Sequence, residues 1–246
     1  MQAIYKPKGK ALEYSPWALN LWLGCMHACK YCYAPKVLRM KRREFHARGV
    51  PRKGILEALD KQLRTPGAVP PGSEILLCFT SDPYQPAEVD CETTRRALEM
   101  LVDAGHQTVI LTKNPKLALR DLDIMKRGKT KFGITALFVD EPSRQEWEPG
   151  ASPLVERFCA LKEAHNSGLR TWISVEPVIY PEQALLVIQY LAQWTDKFKV
   201  GKLNHMPELE CKIDWAKFLR DVVSLLQGLK KDYYIKRDLH AFGEHS

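Results

Sequence analysis

An α/β fold is predicted, with one parallel sheet flanked by outer helices. Short apolar, β-branched runs alternate with segments of helical period, the signature of strand-helix-strand units with right-handed crossovers. The 246 residues suffice for one sizeable core, and 45% hydrophobic with 27% charged residues excludes disordered, collagen-like and membrane compositions. No internal repeat or low-complexity tract points to a solenoid.

The elements follow in order. Ala18 to Leu23 is a short apolar first strand ending at Gly24. Ile55 to Leu63 reads as a helix, and the Pro/Gly-rich stretch from Thr65 to Gly72 as a loop. Ile75 to Phe79 is a continuous apolar strand. Thr94, Ala97, Leu98, Leu101 and Val102 mark one face of a helix stopped at Gly105. Gln107 to Lys113 is a buried parallel-type strand, Leu117 to Met125 a helix and Lys131 to Val139 a strand. A long polar loop is expected from Asp140 to Ala151, then a helix with Ser152 as N-cap, Pro153 at the first helical position, and Leu154, Phe158 and Leu161 on its apolar face. Gly168 closes that helix before a strand from Leu169 to Val175. Leu185, Ile188, Leu191 and Ala192 mark another helix, Lys197 to Leu203 a strand, Trp215 to Leu226 the last long helix, and Tyr233 to Lys236 a closing strand. Such a sheet could close, stay open or curl into a partial barrel; in each case loops converge at the carboxyl ends of the strands, where a working face is expected.

Charge and cysteines narrow the class. A net charge of +8 favours polyanionic partners, including nucleic acid, and the densest basic run is Lys36 to Arg52, readable as a solvated helix face or a substrate-facing rim. Met1 to Lys10 has three lysines and no apolar run, so neither a signal peptide nor a membrane span is expected. Seven cysteines without an export signal suit a reducing, cytoplasmic setting and metal or reactive thiols.

Three of the seven lie in Gly24-Cys25-Met26-His27-Ala28-Cys29-Lys30-Tyr31-Cys32-Tyr33. Such a loop can wrap one corner of an iron-sulfur cubane and leave one iron without a protein ligand. A zinc site would need a fourth ligand, for which His27 is too close, and no second Cys-x-x-Cys occurs. A four-cysteine electron-transfer cluster would recruit Cys78, Cys91, Cys159 or Cys211. The alternative to an enzyme is therefore a zinc or iron-sulfur module that binds nucleic acid through the basic run.

The cysteine spacing, the aromatic residue before the last cysteine, and the position after a first strand resemble the radical S-adenosylmethionine (SAM) family. That resemblance implies a partial (β/α)6-type barrel over residues 17–246 with an N-terminal extension over 1–16. It also implies a [4Fe-4S] cluster on Cys25, Cys29 and Cys32, and SAM cleaved reductively to a 5′-deoxyadenosyl radical that takes hydrogen from a substrate. An electron donor such as flavodoxin or ferredoxin follows from the same chemistry.

Thr80-Ser81-Asp82-Pro83, Lys113, Thr135 and Glu176-Pro177 resemble the SAM-contact positions of spore photoproduct lyase and its uncharacterised relatives, over roughly Trp17 to Lys202, and Ser174 is a further candidate cofactor contact. Tyr33 is expected beside SAM, and Tyr31 and Tyr33 are candidates for radical transfer. The lyase carries its hydrogen-donor cysteine immediately before Thr-Ser-Asp, where this chain has Phe79, with Cys78 one residue earlier. Strand alternation would turn Cys78 away from the site unless a bulge intervenes, so a relative with another substrate is expected, a nucleic-acid base, nucleoside or nucleobase-derived molecule. Tyr84, Gln85, Trp147, Asn204 and His205 are candidate substrate contacts.

Overall fold

The computed structural model describes residues 2–243. Its strands are β1 (Ile4–Tyr5), β2 (Trp17–Leu19), β3 (Trp22–Leu23), β4 (Val50–Pro51), β5 (Glu74–Leu77), β6 (Gln107–Thr112), β7 (Lys131–Thr135), β8 (Arg170–Val178), β9 (Lys197–Lys202) and β10 (Asp232–Ile235). The helices are α1 (Ala34–Val37), α2 (Arg42–Ala47), α3 (Ile55–Leu63), α4 (Glu88–Cys91), α5 (Thr93–Asp103), α6 (Pro115–Ala118), α7 (Leu122–Arg127), α8 (Glu141–Trp147), α9 (Leu154–Asn166), α10 (Pro181–Leu191), α11 (Pro207–Glu210), α12 (Trp215–Gly228) and α13 (Arg237–His240).

The main sheet runs β1-β2-β5-β6-β7-β8-β9-β10, parallel throughout except for antiparallel β1. β1 and β10 are its two edges, so the expected α/β partial barrel of parallel strands with outer helices is present and open at one seam. Each long helix buries an apolar stripe against the sheet. Trp215, Phe218, Leu219, Val222 and Leu226 of α12 are all buried at helical spacing, each contributing about 1.5–3 kcal/mol.

The barrel interior is a smaller cluster of Ala18, Leu76, Val109 and Trp172, with Tyr5, Tyr14, Phe79 and Leu111 packed against it. Gly133 makes room for the Trp172 indole, because a Cβ at that position would lie 2.2 Å from the ring.

Several elements differ from expectation. The first strand stops at Leu19, because the Asn20 side chain accepts from the Phe79 and Thr80 N–H groups at 2.8 and 3.2 Å, and Trp22–Leu23 pairs instead with Val50–Pro51 in a separate ribbon. The helix expected over Leu117 to Met125 is split into α6 and α7 around buried Asp121, which accepts from Arg95 and Arg120. The strand begun at Lys131 ends at Thr135. The loop expected from Asp140 to Ala151 contains α8, capped by Asp140 accepting from Ser143 N–H at 2.8 Å. Ser152 does not cap α9; its hydroxyl donates to the Lys113 carbonyl at 2.7 Å. Within residues 3–14, Ala3, Ile4 and Ala11 are buried and β1 pairs with β2, so this stretch packs on the sheet.

Candidate active site

A cavity of about 440 Å³ opens where the strands end, lined by Cys25, Cys29, Cys32, Tyr31, Tyr33, Cys78, Phe79, Thr80, Ser81, Asp82, Lys113, Thr135, Ser174 and Glu176, with Lys202, Asn204 and His205 at its rim. It thus brings together residues from β5, β6, β7, β8 and β9 with the cysteine loop between β3 and β4.

The cysteine loop is braced on every side. Gly24 has φ +83°, and a Cβ there would strike the Arg48 carbonyl at 2.2 Å. The Cys25 N–H donates to the Phe45 carbonyl at 3.0 Å, and Arg42 donates to the carbonyls of Cys29 and Cys32. Opposite, the Lys30 N–H donates to Trp147 O at 2.8 Å and the Gly150 N–H to His27 O at 2.9 Å. The helix that sequence reading missed, α8, is therefore one wall of this loop. Arg42 takes at least one member of the basic run out of a purely solvated role.

All three thiols are free. Burial pushes Cys25 up to about 12 and raises Cys29 and Cys32 as well. A cationic group bound between them would reverse that shift, as metal ions do for thiols. Among the described residues, no group of three or more His, Cys, Asp or Glu side chains is gathered to hold a single metal ion.

The remaining wall is polar and partly unsatisfied. Among the described residues, the Thr80 and Ser81 hydroxyl oxygens are buried without a hydrogen-bond partner. Lys113 Nζ lies 3.4 Å from Thr135 Oγ1 and 5.7 Å from the Tyr31 ring centre. Burial pulls the Lys113 ammonium down, but Cys29, Glu148 and Asp82 outweigh it, so Lys113 stays charged. The Glu176 carboxylate accepts from Tyr14 OH at 2.5 Å and lies 3.2 Å from Lys236 Nζ. Tyr14 OH also lies 3.3 Å from Ser174 Oγ, and Lys236 Nζ sits 3.6 Å above the Tyr14 ring centre.

Cys78 corrects the alternation argument. Its φ of +62° breaks the strand just past Leu77, and it lines the cavity together with Phe79, Thr80 and Ser81. Burial raises its thiol to about 12.

Residues 19–185, more than half of the chain, match the model of the Radical SAM superfamily. The chain belongs to the radical SAM superfamily. An uncharacterized protein of Methanocaldococcus jannaschii is 29% identical over 183 residues, covering 74% of this chain and 66% of that protein. An uncharacterized protein of Acidianus two-tailed virus is 28% identical over 186 residues, covering 71% and 60%. The match thus spans less than two thirds of the length of either relative. Among solved structures, spore photoproduct lyase complexed with dinucleoside spore photoproduct superposes with a TM-score of 0.69 at 18% identity, covering 94% of this chain and 79% of the lyase. Streptococcus suis SuiB bound to S-adenosylmethionine gives 0.65 at 14% identity, covering 89% and 49%. These likenesses establish the radical SAM partial barrel.

Against that fold, three expected substrate contacts are corrected. Tyr84 is buried off the cavity, its hydroxyl donating to Asp121 at 3.1 Å. Gln85 is likewise buried and braces the cysteine loop, accepting from the Met26 N–H at 3.1 Å and donating to the Gly24 carbonyl at 3.2 Å. Trp147 packs edge-on against Tyr180 and lies outside the cavity lining. Asp82 is on the wall, but its oxygens are taken by Tyr84 N–H, Thr112 Oγ1 and Lys113 N–H, with His27 Nε2 at 3.2 Å. Burial would raise its carboxyl, but the His27 ring and these donors hold it at about 2.

Tyr14, Lys236 and Glu148 are the residues that sequence reading missed, and His27, weighed there only as a zinc ligand, stands instead against Asp82. Buried Glu148 accepts from the Tyr31 hydroxyl and pairs with buried Arg157 at 2.5 Å.

Proposed function

We propose that the protein is a radical SAM enzyme, with Cys25, Cys29 and Cys32 holding a [4Fe-4S] cluster and SAM seated beside it in the cavity. The observation that carries this reading is that the three thiols share one cavity with the unpartnered Thr80 and Ser81 hydroxyls, Lys113 and Glu176. A set of three thiolates is the donor chemistry that iron-sulfur clusters take, and the unsatisfied hydroxyls suit a polar ligand.

When bound, the cluster supplies the electron that cleaves the SAM sulfonium and so initiates hydrogen abstraction from the substrate. Lys113 would present a point charge to the SAM carboxylate, Ser81, Thr135 and Ser174 would offer hydroxyls, and Glu176 would accept from a ribose hydroxyl or amino group. Tyr14 and Lys236 hold the Glu176 carboxylate in place. Tyr33 leans on Phe79 with its hydroxyl donating to the Phe79 carbonyl at 3.1 Å, which fixes both rings at the cavity wall. Cys78 stays protonated at neutral pH and so presents a sulfur-hydrogen bond to the cavity, a hydrogen source for a substrate radical. Tyr31, tied to Glu148, is a further candidate for radical transfer.

The substrate is read as a nucleic-acid base, nucleoside or nucleobase-derived molecule, on the net charge of +8 and the rim lysines Lys8, Lys10 and Lys202, the last two paired with Asp238 and Glu210. Asn204 and His205 are its candidate contacts, and flavodoxin or ferredoxin its electron source. Among the described residues no helix is long and apolar enough to cross a membrane. Metal and sulfide analysis after anaerobic reconstitution tests the reading: iron and acid-labile sulfide in equal amounts support it, and one zinc without sulfide overturns it.

A further inference from the structure

A second cavity, of about 200 Å³, lies at the opposite end of the barrel among the first residues of the strands. It is lined by Glu74 of β5, Val109 of β6, Lys131 of β7, Arg170, Thr171 and Trp172 of β8, Lys197 and Lys199 of β9 and Tyr234 of β10, with Glu13 and Tyr14 closing one side. Four cations thus face two carboxylates.

Those carboxylates are occupied. Glu74 pairs with Lys131, and Glu13 accepts from the Tyr234 hydroxyl and the Arg237 N–H, each at 3.1 Å, with Lys236 Nζ 3.5 Å away. Asp232, outside the lining, pairs with Lys197 at 3.1 Å and lies 3.8 Å from Arg170. Lys199 is different. Its ammonium donates to the carbonyls of Glu13 and Tyr14, each at 3.0 Å, and among the described residues no carboxylate lies within ion-pair distance of it. Burial, with Lys236, Lys197 and Lys131 nearby, pulls Lys199 down to about 8, the condition of a cation lacking a counter-charge.

A second, independent sign is Trp172. The residue is 4% exposed, it lines the cavity, and its indole nitrogen is buried without a hydrogen-bond partner among the described residues. An orphaned buried donor beside one cation without a carboxylate partner, Lys199, wants an acceptor oxygen bearing negative charge.

We propose that the amino-terminal end of this barrel holds a second ligand site, separate from the cysteine cavity, for a small anion carrying phosphate or carboxylate oxygens. Lys199 and Trp172 form its floor, while Lys131, Lys197 and Arg170 guard its mouth. The volume is below the range of drug-sized pockets and suits a small organic acid or phosphate ester rather than a polymer.

Isothermal titration of the full chain, with its metal content as isolated, against inorganic phosphate and separately against succinate tests the site. The expected result is one saturable site for at least one probe. Binding should weaken about tenfold or more in Lys199→Met, the scale of one lost charge-assisted contact. Arg170→Ala, at a mostly exposed side chain where folding is not at stake, should weaken it too, and Lys126→Ala, a surface lysine outside the cavity, should not. The probe that binds assigns the oxygen type. No saturable uptake of either probe, or uptake that Lys199→Met and Arg170→Ala leave unchanged, overturns the proposal. Neither outcome depends on whether the upper cavity cleaves SAM.

Discussion

Replacing Glu148 by Gln should destabilise the protein and loosen the cysteine loop at once. Glu148 and Arg157 are both fully buried, with Nη1 2.5 Å from Oε2. Arg157 also donates to the carbonyls of Ser152 at 2.9 Å and Thr135 at 3.2 Å, while its Nη2 has no hydrogen-bond partner among the described residues. Glutamine keeps the shape but removes the one counter-charge that, among the described residues, touches Arg157, and a broken buried pair costs about 3–5 kcal/mol. For a chain of this size that corresponds to a fall in Tm of about 6–20 °C, measurable by calorimetry. Burial raises the Glu148 carboxyl, but Arg157, Lys113 and the Tyr31 hydroxyl outweigh it, so its folded value is lowered. A group lowered in this way contributes stability above its unfolded value, about 4.3, and that contribution is lost as pH falls through the folded value. The Tm gap between wild type and Glu148→Gln should therefore be full at neutral pH and narrow on acidification. A gap under about 2 °C at pH 7, or one that widens in acid, would refute the reasoning.

Gly133→Ala should lower the urea midpoint by the equivalent of about 1–3 kcal/mol, because a Cβ there falls 2.2 Å from the Trp172 ring; an unchanged midpoint contradicts the packing. Gln85→Ala strands the Met26 N–H and Gly24 carbonyl at about 1–3 kcal/mol each, and both Tm and the iron retained after reconstitution should fall. Lys113→Ala should weaken SAM binding about tenfold to a hundredfold, as read by anaerobic equilibrium dialysis, while leaving iron content at the wild-type level.

Much of the scaffold was legible because its signals are local. Ile55 to Leu63 is a helix at those bounds, and the apolar spacing of Trp215 to Leu226 marks the buried face of α12. The cysteine loop announces itself through spacing alone. What stayed hidden is tertiary. Tyr14 and Lys236 come from opposite ends of the chain and meet at Glu176 only because the open seam brings them together. α8 carries a single large apolar residue, Trp147, so no helical stripe reveals it, and Glu148 looks like one more loop carboxylate until Arg157 of α9 is folded beneath it. The alternation rule failed at Cys78 for a local reason that composition does not betray, a non-glycine residue at positive φ. Gln85 and Tyr84 were misread as substrate contacts because polar residues after a strand end usually face the cavity; here their side chains turn inward to brace the loop and Asp121.

The central claim is tested most directly by anaerobic reconstitution with iron and sulfide, reduction with dithionite, and assay of the SAM-treated protein for 5′-deoxyadenosine. The account predicts an iron-sulfur absorption band and formation of 5′-deoxyadenosine, both abolished when Cys25, Cys29 and Cys32 are replaced together by alanine. A cluster that assembles on the wild-type chain but never yields 5′-deoxyadenosine from SAM would contradict it.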